Sequence, residues 1–431
     1  MNLVVFMPAT ILVFLVFGLV LLLIRFKMSL GNSFFLGAVL LGLVFGLKPS
    51  TLIASLIGSV LYPKTLALAA IVSLILVLSN SMEAANQLKR LLSSFRGLIA
   101  SPKINLVIFP ALIGFLPMPG GAIFSAPMVK EVAAEENLSA AELSYINYWF
   151  RHIWEYWWPL YPGILLGTAL ADLNLSLFIV TNIPLTAAAL FLGYIPLRGR
   201  MQRKPKPSDE DRRPSFIPFL KELTPILIVI VPGLSIGAIL GTMAPSLTIA
   251  RETGLLISLV AAIAWTWRTN GLSVDEIARI LKNPHIIKMI FMIVSILMFK
   301  GVLEKSNAVG LISDELQAMN VPLAAIAIIL PLIVGFIVGI TVAFVGTTFP
   351  IIIPLVHSYG EGAFMLPYIM LALVSGFAGV MASPLHFCFL LSNEYFRTSI
   401  VPVYRLLKIP LMAHMATGIL YFWLLRTIMA L

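Results

Sequence analysis

Three polar side chains stand in a stretch that is otherwise apolar and aromatic: Asn147, Arg151 and Glu155, at i, i+4 and i+8, with His152 beside them. On a continuous helix that spacing puts all three on one face. Ionisable groups at membrane depth are costly and mark functional candidates. Arg151 is suited to gripping a substrate anion, and Glu155 or His152 to carrying a coupling proton. Two structural readings stand beside this one: Arg151 snorkels to the membrane surface, or Arg151 and Glu155 form a buried neutral pair. Pro159 and Pro162 interrupt the helix amid Trp154, Trp157, Trp158 and Tyr161. A counterpart, LVSGFAGVMASPLHFCFLLSNEYF, is interrupted by Ser383-Pro384, with His386 just beyond. Ser383 joins the candidate site on that ground, and His386 joins His152 and Glu155 as a candidate for coupling, although a lone histidine is more often a hydrogen-bonded core residue.

A second source of chemistry is bare backbone. Phe109–Val129 reads FPALIGFLPMPGGAIFSAPMV, apolar on both flanks and broken by Pro117, Pro119, Gly120 and Gly121. Proline removes a donor, glycine weakens a helix by about 1 kcal/mol relative to alanine, and lipid offers the freed groups no partner. The stretch is expected to form a re-entrant hairpin whose tip is Pro117–Gly121; the alternative is a kinked helix in which Gly120 and Gly121 only permit close packing. Glycine at a tip lets a solute approach the main chain, and half-helix N-termini favour an oxyanion. A second broken stretch, Ala324–Leu355, places the corresponding tip at Gly346, Thr347 and Thr348.

Such groups need a scaffold, and composition names it. Of 431 residues 60% are hydrophobic and 11% charged, and mean hydropathy is +1.00. The chain is expected to be an all-α polytopic membrane protein with about ten transmembrane helices and two re-entrant hairpins. The spans are placed at Val4–Ile24, Leu30–Leu47, Thr65–Met82, Tyr145–Leu170, Ser176–Pro196, Leu223–Leu240, Thr253–Trp267, Ile286–Leu303, Met365–Leu391 and Ile409–Ile428, with short helices near Thr51–Leu61 and Ser273–Leu281. Val4–Ile24 is read as the first span, since it lacks the basic flank of a cleaved signal. The net charge of +10 reflects basic cytoplasmic loops and calls for no nucleic acid.

Sliding the chain against itself by 221 residues pairs Pro63 with Pro284, Glu83 with Glu304, Asn86 with Asn307, Pro110 with Pro331 and Gly114 with Gly335. Two repeats follow, residues 1–197 with a hairpin near 109–129 and 222–431 with a hairpin near 324–355, joined by 198–221. Lys89, Arg90, Arg96 and Lys103 follow the fourth helical segment of the first repeat, whereas Asp314 and Glu315 occupy the matching stretch of the second. The positive-inside rule then makes the repeats inverted, with the linker cytoplasmic and both termini outside. Inverted repeats with broken helices are characteristic of secondary transporters. Glu83 and Glu304 read as carboxylates at helix ends on the membrane surface.

The strings FLPMPGGAIFSAPMV and NYWFRHIWEYWWPLYPG resemble the integral-membrane family numbered 401 among the domains of unknown function, over nearly the whole chain. That family is grouped with the ion transporter superfamily of citrate, dicarboxylate, gluconate and arsenite carriers. The resemblance implies a homodimer whose transport domains move against a fixed scaffold in the plasma or inner membrane. One departure stands out: dicarboxylate carriers hold sodium and a carboxylate with a Ser-Asn-Thr tip, whereas Pro119-Gly120-Gly121 has no side-chain hydroxyl or amide.

The expected function is alternating-access transport of a small anionic organic solute, coupled to H⁺ or Na⁺ and needing no cofactor. A channel is the alternative, and an intramembrane enzyme a weaker one: no HExxH, GxSxG or P-loop occurs. His152 and Glu155 lack a second His or Asp at ligand spacing, and the one cysteine, Cys388, excludes a disulfide and a cysteine-built metal site.

Overall fold

A computed structural model describes residues 7–95, 98–99, 101–118, 120–134, 136–200, 215–244 and 246–431. All regular structure among them is helical. The first half runs α1 (Ala9–Arg25), α2 (Leu30–Val44), α3 (Pro49–Leu61), α4 (Pro63–Ala84), α5 (Gln87–Phe95), α6 (Pro102–Gly114), α7 (Ala122–Val132), α8 (Ala140–Arg151), α9 (Pro162–Leu170) and α10 (Leu175–Tyr194). The second runs α11 (Ile217–Met243), α12 (Ala250–Asn270), α13 (Val274–Leu281), α14 (Pro284–Lys305), α15 (Ala308–Ala318), α16 (Leu323–Val338), α17 (Thr341–Ser358), α18 (Met365–Ala382), α19 (Phe387–Tyr395) and α20 (Ile400–Ala430). Most of the joining segment, residues 201–214, lies outside the described residues, as do Pro119 and Arg96.

This is an all-α, polytopic membrane protein. Among the described residues seven helical stretches are long and apolar enough to cross a bilayer, or eight if α15 and α16, bent by 117°, make one span. Of the ten expected spans, Val4–Ile24 and Leu30–Leu47 fall on the shorter apolar helices α1 and α2, Tyr145–Leu170 is broken into α8 and α9, and Thr253–Trp267 falls on α12, which is not among the seven; α17, in the second hairpin stretch, is counted instead. Burial ranks them. The stretch Gly362–Tyr395, which contains α18 and α19, is 94% buried over its apolar window, against 17% for α20. α18 is therefore the core helix, and α20 presents an apolar surface outward.

The two halves present the same elements in the same order. α4 and α14 have matching limits at the 221-residue offset, and so do the first residues of α5 and α15 and of α6 and α16. Asn86 and Asn307 sit at the α4–α5 and α14–α15 joints with φ of 51° and 54°; asparagine tolerates this left-handed conformation better than other side chains.

Each short joint helix grips the first helix of the other half. On α15, Glu315 accepts the Ala9 and Thr10 N–H groups at 2.6 and 2.8 Å, capping α1, whose N-terminus has no side-chain cap of its own. On α5, Arg90 forks onto Glu222 of α11 and reaches Asn270. Between α16 and α18 the backbones nearly touch: a Cβ on Gly335 would lie 2.1 Å from the Gly376 carbonyl oxygen, and one on Gly379 2.1 Å from that of Leu332. Small residues let helices approach in this way where lipid gives no hydrophobic drive.

Candidate functional site

Four interruptions meet in the middle of the bundle: the turns between α6 and α7 and between α16 and α17, and the breaks between α8 and α9 and between α18 and α19. Helical structure stops at Gly114 and resumes at Ala122, as the proline–glycine cluster requires. Within that turn Gly120 has φ +78°, a conformation glycine adopts at no steric cost. Gly121 has φ −53° and is needed for space instead: its Cβ would lie 2.4 Å from Arg151 Nη2.

The second turn departs from the sequence-based expectation. It lies at Gly339-Ile340, with Gly339 at φ +69°, whereas Gly346, Thr347 and Thr348 are all inside α17. Thr347 and Thr348 are fully buried and donate to the Ala343 and Phe344 carbonyls one turn back, so their hydroxyl hydrogens are committed within the helix. Gly346 makes room for Ile296 of α14. These three are removed from the second tip; Gly339, Ile340 and Thr341 replace them.

The aromatic run after α8 has a defined task. Trp154 and Trp158 donate indole N–H bonds to the Ala111 and Phe115 carbonyls at 2.8 and 2.9 Å, and the Tyr161 hydroxyl donates to Gly114 at 2.6 Å. Carbonyls at the end of a helix have no partner within it. The unwound segment 152–161 thus caps α6 from outside, and Phe115 stacks on Trp154 at 4.6 Å.

The break also separates the polar line. α8 ends at Arg151, so Glu155 is not one helical turn further along the same face. Arg151 is 2% exposed, which excludes snorkelling. Its Nη2 donates to Met118 O at 2.8 Å in the first turn, its Nη1 lies 3.4 Å from both His152 Nε2 and Cys388 Sγ, and its Nε has no partner. Glu155 accepts a 2.7 Å bond from Thr341, the first residue of α17, and its other oxygen is 3.7 Å from His152 Nε2. Among the described residues no ion pair joins Arg151 to Glu155. The buried pair read from the sequence is therefore replaced by two separate attachments, Arg151 to the first turn and Glu155 to the second.

Asn147 has a different place. Its amide donates to Ala122 O and Ser392 Oγ and its carbonyl accepts from Ser125, at 3.0, 2.9 and 2.6 Å. These bonds tie α8 to α7 and α19, and Ser144 to Asn393 adds a fourth link. Asn147 thus latches α8 to both neighbours. Ser383 is fully buried and accepts from the Leu385 N–H in the short break. A Cβ on Gly339 would meet Ser383 Oγ at 3.0 Å and His386 N at 3.1 Å, so the second turn rests on this break.

His386 approaches from the other half of the chain. Its Nδ1 is 2.8 Å from the Tyr148 hydroxyl, which also bonds Met381 O at 3.0 Å. His152 Nδ1 bonds Tyr148 O at 2.5 Å, and the two imidazoles stand 4.8 Å apart, edge to face. Cys388 completes a trio in which one donor atom from each residue lies within 4.8 Å of the others. The second histidine missing at local spacing is supplied by tertiary structure. Tyr148, Cys388, Thr341 and the Met118 carbonyl carry no sequence signal that would have selected them.

The Arg151 cluster is closed. Two cavities of about 410 Å³ each, sharing Tyr62, Lys64, Leu68 and Ala169, lie apart from it at the start of α4 and the end of α9. Leu165 and Thr168 of α9 line the first, and Gly163 of the same helix packs on Thr341. One helix therefore separates that cavity from the second turn.

Fold and site together define a polytopic membrane protein with two helix–turn–helix arms packed against two broken helices. The chain belongs to the DUF401 family, described as a protein of unknown function, whose pattern matches residues 9–425. No curated protein matches the chain. Among solved structures, the crystal structure of the Alcanivorax borkumensis YdaH transporter is similar at 14% identity over 88% of each chain, with a TM-score of 0.49.

Proposed function

We propose that the protein is a secondary active transporter that moves a small, anionic organic solute by alternating access, coupled to H⁺ or Na⁺. The reading places it among carriers of the ion-transporter type, working as a homodimer, and makes residues 1–197 and 222–431 two inverted repeats. The observation that carries it is Arg151: a buried guanidinium beside a glycine turn, with one nitrogen unpartnered and no carboxylate within ion-pair distance among the described residues. A buried charge left in that condition is costly unless a partner arrives. A solute carboxylate supplies one, and Gly121 leaves the room that the guanidinium occupies beside the turn. Glu155, which accepts from Thr341 at the second turn, and His152, 3.7 Å from it, are the candidate carriers of the coupling ion.

In this topology the two 410 Å³ cavities open to the outer face, and α9 forms the partition between them and the closed cluster. Movement of α9 with the second turn would join the two. Cysteines placed at Lys89 and Asp314 in a Cys388→Ala background are expected to label from opposite sides of the membrane. Labelling from one side removes the inverted arrangement.

A thermal-shift screen of carboxylates, sugar acids and inorganic oxyanions, with and without sodium and across pH, tests the solute class. A bound solute at a hundredfold excess over Kd stabilises by about 2.7 kcal/mol. At least one carboxylate is expected to raise the melting midpoint of the wild type by more than that of Arg151→Lys. Equal responses from both proteins would remove Arg151 from the site.

A further inference from the structure

We infer that His152, His386 and Cys388 form a binding site for a soft monovalent metal ion, Cu(I) or Ag(I), assembled from both halves of the chain. All three are buried, at 1, 8 and 5% exposure, and their donor atoms lie within 4.8 Å of one another. Thiolate with imidazole is the donor set that soft d¹⁰ ions select.

Proton accounting orients both rings. The Tyr148 carbonyl can only accept, so His152 Nδ1 carries the hydrogen and Nε2 presents a lone pair. The single hydroxyl hydrogen of Tyr148 goes to the Met381 carbonyl, which likewise only accepts. His386 Nδ1 must then donate to the Tyr148 oxygen, leaving its own Nε2 as a lone pair. Both imidazoles are thus fixed by a second hydrogen bond in the tautomer that metal-binding histidines use. One residue, Tyr148, holds both.

Charge selects the valence. Binding exchanges the Cys388 thiol proton for the metal: the S–H bond breaks, an S–metal bond forms and one proton leaves to solvent. A monovalent ion leaves the net charge of the cluster unchanged, whereas a divalent ion adds one positive charge beside Arg151 in a low-dielectric interior, where an added charge is costly. Arg151 Nη1 bridges His152 Nε2 and Cys388 Sγ at 3.4 Å each, long for a bond to nitrogen and ordinary for one to a weak sulfur acceptor, so it yields that space while Nη2 keeps Met118.

The test is Ag⁺ binding to the purified full-length protein, read by titration calorimetry with proton release followed in parallel. The wild type is expected to bind one equivalent of Ag⁺ more than Cys388→Ala and to release one proton for it. Tyr148→Phe, which removes the hydroxyl that orients His386 and keeps the backbone carbonyl that holds His152, is expected to keep the stoichiometry and bind about ten- to a hundredfold more weakly. Arg151→Gln removes one positive charge without adding a soft ligand, and it is expected to create a Cys388-dependent site for Cd²⁺ that the wild type lacks. Equal Ag⁺ uptake by the wild type and Cys388→Ala overturns the site. Stoichiometric, Cys388-dependent Cd²⁺ binding by the wild type overturns the assignment of valence. None of these readouts depends on transport.

Discussion

Gly121→Ala is expected to give a folded membrane protein that no longer binds or moves its solute. The added Cβ would lie 2.4 Å from Arg151 Nη2, 2.9 Å from Nε and 3.0 Å from Cζ. Every one of those atoms is at the free end of a flexible side chain, so the clash is relieved by moving the guanidinium and leaves the backbone where it is. Gly121 has φ −53°, which alanine adopts without strain. The cost therefore falls on the position of Arg151. Gly114→Ala provides the opposite case. There the Cβ would meet the Arg151 carbonyl oxygen at 2.2 Å, a backbone atom that cannot swing away. Overpacking of this kind costs about 1–3 kcal/mol or more, so Gly114→Ala is expected to lower the melting midpoint, whereas Gly121→Ala changes it little. Solute binding measured on detergent-purified protein separates the two. Normal transport by Gly121→Ala would show that Arg151 is not at the solute site.

Arg151 itself carries the second large effect. Arg151→Lys keeps the charge but gives up the planar fork that meets a carboxylate with parallel hydrogen bonds. Losing one hydrogen bond to a charged group costs about 1.5–3 kcal/mol, or roughly ten- to a hundredfold in affinity. Arg151→Ala is expected to be worse for the fold. It strands Glu155, which is 6% exposed, without a positive charge nearby, and an uncompensated buried charge destabilises by about 3–5 kcal/mol. The pair is not in contact, yet in a low-dielectric interior compensation acts over more than hydrogen-bond distance. Arg151→Ala combined with Glu155→Gln restores neutrality and is expected to recover expression while transport stays lost. If transport returned with expression, both residues would be structural, and the transporter reading would lose its main support.

Much of the framework was legible in the residues themselves. Pro117, Gly120, Gly121, Pro159, Pro162 and Ser383-Pro384 each mark an interruption that the structure contains. They do so because a missing N–H or a missing Cβ acts on its own stretch of backbone, whatever packs around it. Apolar length likewise set the membrane class, and the matching limits of α4 and α14 follow the prolines that start them. What the residues could not decide was which of several similar groups would be used. Gly339 and Gly346 look alike in an apolar run, and neighbouring threonines favoured the wrong one. Only packing distinguishes them, since Gly339 must turn against Ser383 and His386, whereas Gly346 merely admits Ile296. Asn147 was equally open until Ala122, Ser125 and Ser392 closed around it. The spacing of Arg151 and Glu155 assumed a helix that in fact ends at Arg151, so the two reach different turns. His152, His386 and Cys388 come from separate halves of the chain. Their meeting is a property of how α8 packs on α19, a long-range contact that no local pattern encodes.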